Sequence, residues 1–209
     1  MARFSCPRNQ WEIRSYEDDW LSIMQVLAPV LRRYYPSGDH WLSGRLDDVA
    51  EDTARAYLAF VGPSLSGVAI ETPKAEGQVK LSTLWVASES RNTGIGSGLL
   101  ERCIQYWLSA GTPRSWITVG AASRRAVTGL VEAHGFRETA VELDRYGPCR
   151  HEWVLHWTPE SHRAARTTTP LPPDLAAPRT SFGPNQLTRD APLGTAPRPA
   201  IAARSSQAD

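Results

Sequence analysis

The most regular pattern of apolar and polar positions lies in the middle of the chain. From Gln78 to Ala87, Val79, Leu81, Leu84 and Val86 are among the apolar positions of a predicted strand. Beyond the glycines that follow, Ile95, Leu99, Leu100, Cys103, Ile104, Trp107 and Leu108 recur at steps of three and four. That spacing predicts an amphipathic helix. Gly111 with Pro113 ends it, Ser115 to Gly120 predicts a buried strand, and a helix from about Ser123 to His134 stops at Gly135. Phe136 to Leu143 and Arg150 to Trp157 predict a closing hairpin around Tyr146-Gly147-Pro148.

Upstream, Trp11 to Arg14 alternates as a short strand, and Asp18 or Asp19 is positioned to cap the helix of Trp20, Ile23, Met24 and Leu27. Pro29 is expected to break or kink that helix, with Val30, Leu31 and Tyr34 continuing it. A loop then leads to a short helix around Leu42 to Val49. Two strands, Thr53 to Val61 and Gly67 to Glu71, join around Gly62-Pro63. The order β-α-α-β-β-β-α-β-α-β-β predicts an α/β fold: a single mixed, mostly antiparallel central sheet flanked by helices.

Composition changes near Thr158. Residues 159–209 are dominated by Pro, Ala, Thr, Ser and Arg, with few and unpatterned apolar residues. Such a segment buries too little surface to offset its ordering entropy, so a disordered C-terminal tail is expected after a domain of residues 10–158. The alternative is a segment that folds on a partner through Leu171, Leu175, Phe182 and Leu187. For the whole chain, 41% hydrophobic residues and eight tryptophans allow a sizeable core. A formal net charge of +1 supplies no general field for nucleic acid or a membrane surface. Cys6, Cys103 and Cys149 are few, odd in number and scattered, which fits a reducing, cytoplasmic setting. No run has signal-peptide or membrane-span character.

The glycines at 94, 96 and 98 lie where the best strand turns into the best helix. The first N–H groups of a helix are unpaired and partly positive, and glycines let an anion approach them. Arg91 adds a formal charge. The pattern suits phosphate or diphosphate, although a glycine-rich turn packed tightly on the sheet would use the same residues. A dinucleotide fingerprint would follow the first strand, and a P-loop would carry Gly-Lys-Ser or Gly-Lys-Thr; neither is present.

Leu84-x-Val86, then Arg91-x-x-Gly94-Ile95-Gly96, then Leu99-Leu100, with Gly135-Phe136 downstream, resembles the GNAT superfamily of N-acyltransferases over about residues 10–158. The resemblance implies acetyl-CoA as the acyl donor and an amine as acceptor, with direct attack and no acyl-enzyme; the spacing of the histidines separately implies no metal. It implies that the fourth and fifth strands splay apart. Backbone groups of Leu84, Trp85 and Val86 would hold the pantetheine arm in that gap, one N–H polarising the thioester carbonyl. Arg91, Asn92, Thr93, Gly94, Ile95, Gly96 and Ser97 would bind the diphosphate. Two positions depart from the family's pattern: Lys80 stands where some members have a glutamate base, and Val131 where many have a tyrosine acid.

Local substitutes are Tyr146, which protonates the departing thiolate or orients the amine, or else packs on the sheet edge, and Glu152, which either acts as a base through water or faces solvent. Cys149 has no His-Asp pair, Cys103 falls on an apolar helix face, and the histidines show no ligand spacing. Arg32-Arg33 suits a solvated helix face, and Arg124-Arg125 either lies exposed or reaches the 3′-phosphate of coenzyme A. Residues 32–41, with Tyr34, Tyr35, His40 and Trp41, are the expected acceptor-selecting segment, and Asp39, Asp47 and Asp48 would suit a cationic amine. Two functions follow: an acetyl-CoA-dependent N-acetyltransferase acting on a small molecule, peptide or aminoacyl group, or a non-catalytic acyl-CoA-binding module. Neither nucleic acid nor membrane is an expected partner, and a homodimer stays open.

Overall fold

A computed structural model describes residues 11–168 and arranges the predicted strands in one seven-stranded sheet, in the order β1-β2-β3-β4-β5-β7-β6. β1 (Trp11–Ser15) is one edge, followed by α1 (Trp20–Tyr34) and α2 (Gly38–Ala50). β2 (Arg55–Val61), β3 (Ser64–Pro73) and β4 (Val79–Val86) extend the sheet antiparallel. α3 (Ile95–Ser109) crosses back so that β5 (Ser115–Gly120) runs parallel to β4. α4 (Ala121–Ala133), β6 (Arg137–Glu142) and β7 (Glu152–Trp157) follow, with β7 inserted between β5 and β6 and antiparallel to both. The predicted fold class and element order are therefore those observed. Among the described residues no helix is long and apolar enough to cross a membrane.

Each face of the sheet is covered by its own helices. Leu99, Leu100, Trp107, Phe136, Leu155 and Trp157 belong to one buried cluster beneath α3 and α4. Ile23, Leu27, Leu42, Leu46, Leu58 and Ile70 belong to the other, beneath α1 and α2. Each such side chain contributes roughly 1.5–3 kcal/mol when fully buried. The Trp107 ring meets those of Trp157 and Phe136 edge-on, with centroids 5.1 and 6.1 Å away.

Three local expectations are revised. α1 runs continuously through Pro29, held by buried Ile23, Leu27 and Ala28 on its core face. Asp19 occupies the N-cap position but makes no capping bond, because its carboxylate takes both guanidinium nitrogens of Arg14, at 2.7 and 3.0 Å. Residues 159–168, expected to begin a disordered tail, instead form α5 (Pro159–Thr168). Thr158 precedes a proline at the first helical position, and its Oγ1 accepts the Ser161 N–H at 3.2 Å. α5 buries His162 and Ala165 and packs against Gly135, where a Cβ would lie 2.6 Å from the His162 Cα. The remainder of the expected tail, with its four apolar anchors, lies outside the described residues.

Candidate functional site

β4 and β5 pair through only two rungs, Val79 with Ser115 and Lys80 with Trp116, and then part. The cause lies in β4: its register with β3 passes from Glu71↔Leu81 to Ile70↔Thr83, leaving Ser82 as an extra residue. A bulge of this kind bends its strand and raises the local twist. The β4 edge beyond it, with Leu84, Trp85 and Val86, has no strand partner on the β5 side. Because the two strands are parallel, Val86 and Gly120 end at the same side of the sheet with the gap between them.

The glycine loop lies at the mouth of this gap. Asn92 and Gly94 both have positive φ, 62° and 91°, turning the chain sharply into α3. Gly94 is the N-cap and no side chain caps the helix, so the first N–H groups, from Ile95, Gly96 and Ser97, are left for a ligand. The loop is braced from both sides: Trp11 Nε1 donates to the Thr93 carbonyl at 3.1 Å, and Thr93 Oγ1 to the Ser90 carbonyl at 2.6 Å. Arg91 is exposed and donates its Nε to the Val86 carbonyl at 3.4 Å, which keeps a positive charge at the lip. A helix N-terminus with this charge fits a diphosphate.

The three glycines have different jobs. A Cβ on Gly98 would meet Trp11 at 2.7 Å and Ile13 at 3.0 Å, so Gly98 serves the packing of α3 on β1. At Gly96 a Cβ would lie 3.0 Å from Leu130 and 3.6 Å from Val86, between α4 and the free strand edge. Gly94 needs its left-handed conformation. The expectation that all three clear a path for phosphate is therefore corrected for Gly98.

On the other side of the gap, Glu152 begins β7 opposite Gly120 and is only 3% exposed. Its Oε1 accepts the Tyr35 hydroxyl at 3.2 Å, while its Oε2 is buried without a hydrogen-bond partner among the described residues. A buried carboxylate is costly when incompletely paired, so an orphaned oxygen marks a place where an external donor belongs. Gly120 borders the same groups: a Cβ there would make ordinary contacts, 3.8 Å to Glu152 Oε1 and 3.7 Å to the Tyr35 hydroxyl. Burial and the adjacent Glu152 push the Tyr35 phenol far above its usual range, so it stays protonated and donates.

Tyr146 meets Tyr35 edge-on at 5.0 Å, and Arg150 Nη1 reaches across to the Tyr34 carbonyl at 2.9 Å. The β6–β7 connection is thus tied to the turn after α1. The structure brings Tyr146 and Glu152 together around Tyr35, and excludes the solvent-facing alternative for Glu152. Lys80, on the last rung before the gap, has its pKa lowered by burial and by Arg145, while Glu152 opposes the shift. Val131 is fully buried in the core.

Other expected residues are accounted for elsewhere. Arg124 stacks on Trp153 at 4.2 Å and pairs with Glu138 at 3.0 Å, so it is held over β6 and β7. Asp48 pairs with Arg45 at 2.7 Å and Asp39 with Arg32 at 3.7 Å, which leaves neither as a free anion for an amine. Cys103 is buried, and burial with the nearby Glu71 raises its thiol pKa; Cys149 is exposed. Tyr35 was legible only as part of an acceptor loop. No sequence signal links it to a residue 117 positions away.

The model of the Acetyltransferase (GNAT) family matches residues 19–136. An acetyltransferase of that family from Streptococcus pneumoniae has a similar structure, at TM-score 0.59 and 20% identity over 71% of this chain and 99% of its own. The ribosomal-protein-S18-alanine N-acetyltransferase from Escherichia coli aligns at TM-score 0.57 and 18% identity, over 71% of this chain and 93% of its own. A GNAT family acetyltransferase from Elizabethkingia anophelis, with acetyl-CoA bound, aligns at TM-score 0.51 and 17% identity, over 72% and 99%. No curated protein matches the chain.

Proposed function

The chain belongs to the Acetyltransferase (GNAT) family, and from that premise we propose that it transfers an acetyl group from acetyl-CoA directly to an amine. The observation that carries this reading is the parting of β4 and β5 beside an uncapped helix N-terminus. The α3 N–H groups and Arg91, in the loop from Arg91 to Ser97, hold the diphosphate. The free edge of Leu84, Trp85 and Val86 aligns the pantetheine arm. Acetyl-CoA supplies the activated acyl group, as a thioester, and no covalent acyl-enzyme is needed.

Glu152 is the proposed base. Its unpartnered Oε2 accepts the proton that the amine must lose, directly or through one water, as the N–C bond forms. Tyr35 positions that carboxylate through the 3.2 Å hydrogen bond. Tyr146, next to it, supplies the proton that the departing sulfur takes as the C–S bond breaks. Much of the rate comes from holding the two reactants in line within the gap. The bound acetyl-CoA of the Elizabethkingia anophelis relative and the amine acceptor in the name of the Escherichia coli relative agree with this reading. Calorimetric titration with acetyl-CoA, followed by thiol release with an amine panel, tests it. Saturable binding and amine-dependent thiol release are expected; no binding overturns the donor, and binding without turnover on any amine favours a non-catalytic module.

A further inference from the structure

A cavity of about 360 Å³ lies away from the β4–β5 gap, where β1 ends and the turn after α2 enters β2, with α3 above it. Its walls include Tyr16, Asp52, Arg55, Tyr57, Arg102 and Tyr106, and it contains none of the residues assigned to acyl transfer. The two arginines are held differently. Arg55 lies 3.8 Å above the Tyr106 ring and donates to Glu71 Oε1 at 3.4 Å. Glu71 is fully buried, which raises its pKa against the pull of Arg55, and its other oxygen takes the Trp107 indole N–H at 2.7 Å, so Arg55 is anchored from beneath. Arg102 lies 5.6 Å from the Tyr57 ring centroid and pairs with no carboxylate among the described residues. Its fork of donors is free on the rim of the cavity.

Asp52 is the counterpart. It sits exposed in the turn after α2, and its carboxylate has no ion pair or hydrogen bond among the described residues. Burial and Glu71 push the Tyr57 hydroxyl above its usual range, so it remains a neutral donor in the wall. One free cation, one free anion and aromatic faces with Val49, Ala54 and Ala56 between them suit neither a simple anion nor a simple amine. We infer that this cavity is a second ligand site for a small zwitterion of the α-amino-acid class, whose carboxylate pairs with Arg102 and whose ammonium pairs with Asp52. The aromatic walls take its side chain, and a volume of this size accommodates a single amino acid. α3 joins the two sites, since Arg102 and Tyr106 project from the helix whose N-terminus is the proposed diphosphate cradle.

The test is calorimetric titration of the full chain with individual L-amino acids, and with acetate, methylammonium and inorganic phosphate as separate probes. At least one amino acid should bind, with each half-probe and phosphate weaker by about tenfold or more. Arg102→Ala and Asp52→Asn should each weaken it by at least about tenfold, as expected for a lost charge-assisted pair, while acetyl-CoA titrates as in the parent protein. Absence of binding for every amino acid overturns the inference, as does phosphate or acetate binding as tightly. Affinity unchanged in both variants also overturns it, as does affinity lost in Glu152→Gln instead, which would make the ligand an acceptor in the transfer site.

Discussion

Replacing Glu152 by Gln separates its proposed catalytic role from its structural one, because the two predict different changes. The amide has the same shape: its oxygen still accepts the Tyr35 hydroxyl, and its NH2 takes the position of the unpartnered Oε2. What disappears is a charge on a residue that is only 3% exposed and has one hydrogen-bond partner among the described residues. Burying an ion under such conditions costs several kcal/mol, but the substitution also removes its attraction for the partly buried Lys80, so E152Q should melt within a few degrees of the parent protein. Turnover should fall roughly 10²–10⁴-fold, about 3–5 kcal/mol of barrier, the usual contribution of a positioned base. Tyr35→Phe removes the one hydrogen bond that Glu152 accepts among the described residues, at roughly 1.5–3 kcal/mol, so Tm should drop about 3–12 °C. Scanning fluorimetry and steady-state kinetics with an amine that releases thiol read both variants. Unchanged kcat/KM in E152Q, or a lower Tm with turnover retained, refutes the reasoning.

Gly96→Glu should fold, since its Cβ needs only a small shift of the Leu130 side-chain end, yet it should abolish calorimetric acetyl-CoA binding by adding negative charge at the α3 N-terminus; undiminished affinity would reject the cradle. Gly135→Ala should lose roughly 1–3 kcal/mol from its positive φ alone. Its Cβ would also collide with the α5 backbone, so amide exchange within α5 should accelerate; unchanged exchange and Tm would contradict the packing described. For His134, burial disfavours the charged ring but the Glu101 and Leu130 bonds outweigh it, so its folded pKa is raised. The stability it contributes is complete below the ordinary histidine value and is lost as pH rises through the raised one. The parent protein should therefore lose more Tm than His134→Gln between about pH 6 and 8; equal losses would remove the assignment.

The order of elements was legible because their apolar periods are clean, as in Leu99, Leu100, Cys103 and Ile104 along α3. The seat of β7 between β5 and β6 was not, since a period says which face is buried and nothing about which strand lies alongside. α5 escaped notice because its core side rests on His162 and Ala165, weak apolar signals in a polar segment. Thr158-Pro159 nevertheless formed a recognisable helix start. The turn from β4 into α3 was legible as an anion-binding shape from local glycines, which sequence carries well. Gly98 was misread, because the same missing side chain serves a ligand or Trp11, and only the fold places Trp11 there. Glu152 was visible as a charge within an apolar strand; its partner Tyr35 was not.

The hydrogen bond between Tyr35 and Glu152 joins segments 117 residues apart, whereas the proposed donor loop and the strand before it lie within residues 79–97. Contacts of such separation form late, after loop closure has been opposed by entropy. On a ribosome, where the N-terminal part emerges first, the proposed diphosphate cradle is complete in sequence some fifty residues before β7 exists. A nascent chain can therefore acquire its donor platform while still lacking its proposed base. Under the proposed mechanism, competence for transfer waits for β7, whose pairing with β5 is what brings Glu152 opposite Gly120.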